Sequence, residues 1–297
     1  MISHKHRRVD NMNEQIISDK LQYPSKYAEV LGSKMHYTEA GAGNPILFLH
    51  GVPTSSYIWR NILPHVASLG RCIAPDLIGF GQSDKPDIAY TITDHINYIE
   101  KFISTLNLKN ITLVMHGWGS VIGFNYAMRH QNNCRGLVFY EAFLKSPDNE
   151  MALPFQEQRT NFEDHETVTI DEMIPQSVMR QLSETEMEHY RKPFSHAGTT
   201  KPIVQYMKEL PRGDGKNEVD KLITEYTAKL EKSKLPKLMM YSVPGFITTI
   251  STVIWAKTHL PNLESVDIGE ELHLGQESYP DLMGETISVW LQGVEQS

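Results

Sequence analysis

Short apolar segments alternate with amphipathic segments along the first half of the chain, and this alternation restricts the fold more than any other feature. The apolar segments have the length of strands and the character of buried ones. Amphipathic segments with helical spacing separate the later strands. This rhythm predicts an α/β fold with a doubly wound, mostly parallel sheet. The predicted strands cover residues 34–39, 45–49, 71–75, 111–115 and 136–140, and the predicted helices cover 93–106 and 120–130.

The pattern changes in the middle of the chain. Residues 146–234 are rich in Glu, Gln, Met and Lys with few β-branched runs, which indicates helices. Within them, Ser183-Glu-Thr-Glu186 has the spacing of a capping box that begins a helix. The strand pattern returns at 237–241 and 263–267, and an amphipathic helix is predicted at 282–292.

A sheet that is interrupted by helices and then resumed predicts one composite unit. We expect residues 25–145 and 235–297 to form the α/β core. Residues 146–234 then form a helical cap inserted into that core, and residues 1–24 form a flexible N-terminal segment.

Charge and cysteine content exclude several classes of protein. Lysine and arginine total 28 against 36 aspartates and glutamates, so the net charge is −8, the wrong sign for a nucleic-acid partner. The two cysteines, Cys72 and Cys134, match no metal pattern and are expected to be small buried hydrophobes. No stretch approaches the ~20 apolar residues of a membrane span, and no apolar segment follows the basic N-terminus as in a secretory signal. A cytoplasmic protein is therefore expected. No set of His and Glu residues has metal spacing, so neither a metal nor a cofactor is expected.

Several ordered motifs in this chain resemble those of one enzyme family. The segments are His50-Gly-Val-Pro-Thr-Ser-Ser-Tyr-Ile-Trp-Arg-Asn61, Asp76-Leu-Ile-Gly-Phe-Gly-Gln-Ser-Asp-Lys-Pro86, His116-Gly-Trp-Gly-Ser120 and Leu272-His-Leu-Gly-Gln-Glu277. They resemble the haloalkane dehalogenases, with the sea pansy luciferase as a near relative, and the likeness covers about residues 25–292. It extends into the predicted cap at residues 173–175 and 180–194. The resemblance implies an α/β-hydrolase fold.

Two positions of this chain depart from the family pattern. In that fold a sharp turn between strand and helix presents the nucleophile, and the apex of the turn here is Gly117. The dehalogenases carry an aspartate there that displaces halide and becomes an ester, whereas glycine has no side chain to attack with. The family asparagine that helps to hold the halide corresponds to Val52. The resemblance retains Trp118 as the other halide donor and the backbone N–H groups of Val52 and Trp118 as an oxyanion hole.

The acid/base pair implied by the resemblance is present. His273 matches the family's catalytic histidine in the loop after the strand at 263–267, and Glu141, directly after the strand that ends at Tyr140, matches the carboxylate that orients it. A glutamate at the end of an apolar strand is costly without a partner, which favours this pairing. The pair can activate water or accept a proton directly.

Three interpretations follow from these residues. The first is an enzyme that acts on a small, largely apolar molecule by nucleophile-independent acid/base chemistry with His273 and Glu141, such as hydration, elimination, decarboxylation or cyclisation. The second is an inactive relative that binds an apolar ligand or a partner. The third is a hydrolytic haloalkane dehalogenase, natural or with its nucleophile removed on purpose, against which Val52 argues because trapping a complex needs only one change. The matched histidine and carboxylate favour the first.

Overall fold

The computed structural model describes residues 17–145 and 169–295, and within them eight strands form a single sheet. The strand order is β1-β2-β4-β3-β5-β6-β7-β8, with β1 and β2 antiparallel to their neighbours and the rest parallel. The predicted mostly parallel, doubly wound sheet is confirmed. The strands are β1 (Ser25–Val30), β2 (Ser33–Ala40), β3 (Pro45–Leu49), β4 (Arg71–Pro75), β5 (Ile111–Gly117), β6 (Cys134–Ala142), β7 (Lys237–Pro244) and β8 (Leu263–Glu271).

The winding of the sheet reverses next to β3. After β3 the chain forms β4 on one side of it and then crosses to form β5 on the other. In open α/β sheets the carboxyl ends of strands at such a reversal flank a crevice where ligands bind. A ligand is therefore expected to bind near the residues that follow β3 and β5, which include Val52 and Gly117.

Helices pack on the sheet and also occupy the connection between β6 and β7. The helices of the first half and of the C-terminal part are α1 (Leu63–Val66), α2 (Ile92–Thr105), α3 (Trp118–Arg129), α8 (Ile250–His259), α9 (Gly275–Ser278) and α10 (Pro280–Glu295). Between β6 and β7, the described residues form α4 (Ile170–Met173), α5 (Glu184–Arg191), α6 (Lys201–Glu209) and α7 (Glu218–Leu230). We call α4–α7 the inserted helices.

The predicted capping box opens α5. The Ser183 hydroxyl accepts from the Glu186 N–H, and the Glu186 carboxylate accepts from the Ser183 N–H. Residues 146–168 of the predicted cap and residues 1–16 of the predicted N-terminal segment lie outside the described residues. Further along that segment, the Ser18 carbonyl accepts from Arg60 Nε and from the Asn61 amide.

A buried network of charged side chains joins the inserted helices to the core. Arg60 donates twice to Glu277, at 2.6 and 2.7 Å, and once to Glu186 of α5, at 2.9 Å. Arg180 donates to the same two carboxylates, and the Tyr190 hydroxyl donates to Glu277. Both Arg60 and Glu277 are fully buried. The cost of removing each charge from water is offset by its ion-pair partners in this network. Glu277, which belongs to this network, follows His273 by four residues in the sequence.

Both cysteines are buried and unpaired, as expected. Burial raises the pKa of each thiol to about 12, so neither is a thiolate at neutral pH. In the part of the chain that the structure describes, no helix combines the length and the apolar character needed to cross a membrane.

Candidate active site

The turn from β5 into α3 places Gly117 at the carboxyl end of β5, beside the neighbouring strand β3. Gly117 has φ 52° and ψ −125°, a conformation that side chains disfavour, and α3 begins at the next residue. The turn is also close to β3: a Cβ on Gly119 would lie 2.4 Å from the Leu49 carbonyl oxygen. Glycine at 119 therefore permits the close approach of α3 to β3 that a sharp elbow needs.

His273 faces the apex of this turn. A Cβ placed on Gly117 would lie 3.3 Å from His273 Nε2 and 3.2 Å from the Cα of Gly51. These contacts are tight but involve no clash with backbone below 3.0 Å, in contrast to Gly119. The structure thus brings together the two positions that the sequence assigned to the nucleophile and to the base.

Backbone hydrogen bonds fix the loop that carries His273 after β8. The N–H groups of His273 and Leu274 both donate to the Ser177 carbonyl, each at 2.9 Å. The His273 carbonyl accepts from His116 Nε2 at 2.9 Å. Burial, and then the neighbouring His273, hold the pKa of His116 well below its usual value. His116 therefore remains neutral and serves as a donor to the loop.

Glu141 lies behind His273 at a bulge in β6. Tyr140 pairs with His116 and Ala142 pairs with Gly117, so Glu141 is the extra residue, with φ 47°. We expected it directly after a strand that ended at Tyr140. The strand instead continues to Ala142, because the bulge lets the ladder resume beyond the glutamate.

The Glu141 carboxylate is fully buried and is held by backbone N–H groups as well as by the histidine. It accepts from Phe246, Ile247 and Thr248, with the shortest distance 2.6 Å from the Ile247 N–H. His273 Nδ1 lies 3.1 Å from Glu141 Oε2. Sequence patterns did not reveal these three donors, because main-chain N–H groups leave no signature in residue identity. Their consequence is that the position of the carboxylate beside the imidazole is fixed by the main chain.

The residues matched to the halide site lie close to the same turn. Gly51 and Gly117 approach each other across the β3 and β5 ends, so their chain neighbours Val52 and Trp118 belong to one region. Both side chains are buried, and the Trp118 ring packs edge-on against Tyr206 of α6 at 4.8 Å between centroids. Their roles as oxyanion or halide donors remain predictions.

The hydroxyl of Ser120, near the start of α3, is engaged in the turn and is not free to act as a nucleophile. Ser120 Oγ donates to the Gly117 carbonyl at 2.6 Å and accepts from the Phe143 N–H at 3.0 Å. A hydroxyl that holds the turn in this way is committed to structure. Across residues 17–145 and 169–295, no cluster of three or more His, Cys, Asp or Glu side chains is arranged to bind a metal ion.

Comparison with known proteins identifies the family. The family model for the alpha/beta hydrolase fold matches residues 44–193. A haloalkane dehalogenase of Mesorhizobium japonicum is 36% identical over 280 residues, which cover 89% of this chain and 90% of that protein. The chain belongs to the haloalkane dehalogenase family. Another haloalkane dehalogenase, from Sphingobium indicum, is also 36% identical, over 283 residues covering 90% of this chain and 95% of that protein.

Solved structures of haloalkane dehalogenases have the same fold. The enzyme DbeA from Bradyrhizobium elkani superposes with a TM-score of 0.84 at 34% identity, covering 92% of this chain and 99% of its own. The enzyme DatA from Agrobacterium tumefaciens gives 0.83 at 31% identity, with 91% and 97% covered. The resemblance and the α/β-hydrolase fold expected from the sequence are confirmed. This member of the haloalkane dehalogenase family has glycine at the apex of its elbow.

A side chain at Gly117 is expected to lower stability. Gly117→Asp combines a strained φ, about 1–3 kcal/mol for a residue with a side chain, with a buried carboxylate that His273 offsets in part. Gly117→Ala carries the strain without the charge and separates the two causes. Thermal melts in one buffer should rank the glycine protein first, the alanine variant second and the aspartate variant last. An aspartate variant that melts at or above the glycine protein would contradict both arguments.

Proposed function

We propose that this haloalkane-dehalogenase-like protein binds a small, largely apolar molecule beside Gly117 and acts on it by general acid/base chemistry. His273 is the base and Glu141 is the carboxylate that orients it; no protein carboxylate forms an ester. One observation carries the proposal: His273 Nδ1 is 3.1 Å from Glu141, while its Nε2 is 3.3 Å from the place where a Gly117 side chain would begin.

The two contacts of the imidazole assign its two nitrogens. Glu141 is an acceptor, so the Nδ1 position carries the proton and Nε2 keeps its lone pair toward the elbow. A proton taken up at Nε2 produces an imidazolium that the Glu141 anion stabilises. His116 stays neutral beside the ring and adds no positive charge. The arrangement suits His273 Nε2 to remove a proton from a molecule that lies over Gly117.

The substituted residues argue against the covalent route that the family's name would suggest. Gly117 cannot attack carbon, and Val52 offers no side-chain amide to a departing halide. Water activated by His273 alone would draw about 10²–10⁴-fold acceleration from the base, which is small compared with what a full active site supplies. A reaction in which the protein needs to supply only a proton transfer suits this site better.

Unsubstituted chloroalkanes and bromoalkanes are expected to release no halide with the purified protein, because the nucleophile and one halide ligand are both absent. Halide detection over a panel of chain lengths measures this. Gly117→Asp combined with Val52→Asn should introduce halide release if the rest of the site matches the family. Turnover by the unaltered protein would contradict the proposal in favour of hydrolytic dehalogenation.

The direct test of the proposal uses a reaction that needs a base and no nucleophile. A nitro-substituted benzisoxazole opens when a base removes its ring C–H proton: the N–O bond breaks and a coloured cyanophenolate forms. Turnover that depends on His273 supports an enzyme. Absence of turnover, together with tight binding of apolar ligands, would favour a binding protein without catalysis.

A further inference from the structure

The elbow of this protein has a base in place and lacks the atom that forms the new bond. Gly117 ends at its Cα, and the nearby Ser120 hydroxyl is committed to the Gly117 carbonyl and the Phe143 N–H. A substitution at carbon that uses this elbow therefore needs a nucleophile from another source. The substrate itself is one such source.

The geometry around Gly117 favours a hydroxyl as that nucleophile. A side chain leaving Gly117 would pass 3.3 Å from His273 Nε2, so a group that fills the same region lies beside the imidazole. A hydroxyl there comes within hydrogen-bond reach of Nε2, at the roughly 2.6–3.2 Å that proton transfer requires. His273 Nδ1, on the other side of the ring, remains on Glu141.

The electrostatics of the elbow also suit a reaction that produces anions. Gly117 and Val52 carry no charge, and burial keeps the neighbouring His116 neutral. The Glu141 carboxylate contacts the opposite nitrogen of His273 and is occupied by three backbone N–H groups. An alkoxide and a departing halide over Gly117 are therefore not placed against a carboxylate, as they would be with aspartate at the apex.

We propose that the substrates of this site are vicinal halohydrins, which the protein converts to epoxides. His273 Nε2 takes the hydroxyl proton, the oxygen forms a bond to the adjacent carbon, and the carbon–halogen bond breaks with its electron pair leaving as halide. The products are the epoxide, halide and one proton, so no oxidant, reductant or water is consumed. This inference rests on the proposed function, since it names the substrate class on which the same base acts.

An internal nucleophile compensates for what Gly117 lacks. Reacting groups held in one molecule behave as if at effective concentrations of about 10⁵–10⁸ M when they are well oriented. The protein then needs to supply the base and the enclosing surface rather than a covalent intermediate. A simple haloalkane has no internal nucleophile, so the same site leaves it unchanged.

The experiment compares a bromoalkane with the bromohydrin of the same chain length whose hydroxyl is on the adjacent carbon. A third compound carries the hydroxyl at the far end of the chain, where it cannot close a three-membered ring. Only the vicinal bromohydrin should release bromide, with one epoxide formed per bromide. The rate should exceed that of a folded His273→Ala variant by about 10²-fold or more.

A double variant should replace the preference for the vicinal bromohydrin by a preference for the bromoalkane. Gly117→Asp with Val52→Asn fills the region over the elbow, so epoxide formation from the bromohydrin should fall by at least about tenfold while bromoalkane hydrolysis appears. Bromohydrin turnover that yields only diol, with no epoxide at early times, would overturn the proposal because it requires attack by water. Equal turnover of all three bromides would overturn it as well.

The benzisoxazole assay distinguishes the two levels of inference. If the protein opens benzisoxazole through His273 but leaves the bromohydrin unchanged, the base is functional and the halohydrin proposal is wrong. If neither compound reacts, the proposed function and the halohydrin proposal both fail.

Discussion

Replacing His273 by alanine is expected to lower benzisoxazole opening by about 10²–10⁴-fold, the usual contribution of a positioned general base. The expected size follows from the place of this imidazole: its Nε2 faces the elbow and its Nδ1 is held by Glu141. Glu141→Gln should lower the rate less, because the base remains while its orientation and its charge partner are weakened.

A matched control for this result is His259→Ala, which removes an exposed histidine at the end of α8. That variant should retain full activity. Thermal melts of the three variants establish that each is folded before rates are compared. A fully active His273→Ala protein would show that the proton goes elsewhere and would remove the basis of the proposed mechanism.

Replacing Arg60 by methionine is expected to cost about 3–5 kcal/mol of folding free energy, the usual effect of removing one partner of a buried ion pair. Arg60 and Glu277 are both fully buried, and the methionine side chain leaves Glu277 with Arg180 and the Tyr190 hydroxyl as partners. Glu186 loses a partner in the same substitution. Denaturant unfolding measures the loss, which corresponds to a decrease in Tm on the order of 10 °C.

The control for Arg60 is Arg129→Met on α3. Arg129 pairs with Glu100 at 2.6 Å, but its side chain is 47% exposed, and pairs of this kind contribute about 0–1 kcal/mol. The difference between the two variants isolates the effect of burial. Equal effects would show that the inserted helices are held by apolar packing and that the charged network contributes little.

The central strands could be predicted from the sequence because their signal is local. Continuous apolar runs predicted β3 and β4 with their observed bounds, and predicted the first five residues of β5 and the middle of β6. Both of the latter continue further, to Gly117 and Ala142, since pairing between neighbouring strands extends a ladder beyond its apolar residues. β1 and α8 were not predicted, because their short and mixed patterns become strand and helix only through contact with the sheet.

The sequence motifs led us to expect the candidate site residues to lie together, whereas the contacts that support these residues could not be expected from the sequence. His273, Glu141 and Gly117 stand out because they occupy motif positions, although they are far apart in sequence. The bulge at Glu141, the N–H groups of 246–248 and the pairing of Arg60 with Glu277 could not be predicted. Each depends on which segments the fold brings together, and Arg60 and Glu277 are separated by 217 positions.

The loop that carries His273 is attached by hydrogen bonds to Ser177, which lies between the inserted helices α4 and α5. Two N–H groups, of His273 and Leu274, share the Ser177 carbonyl just ahead of α5. The Ser177 carbonyl is thus a fixed support for the loop that carries the imidazole, in addition to the contact of His273 Nδ1 with Glu141. The position of His273 therefore depends on a segment outside the sheet as well as on the strands.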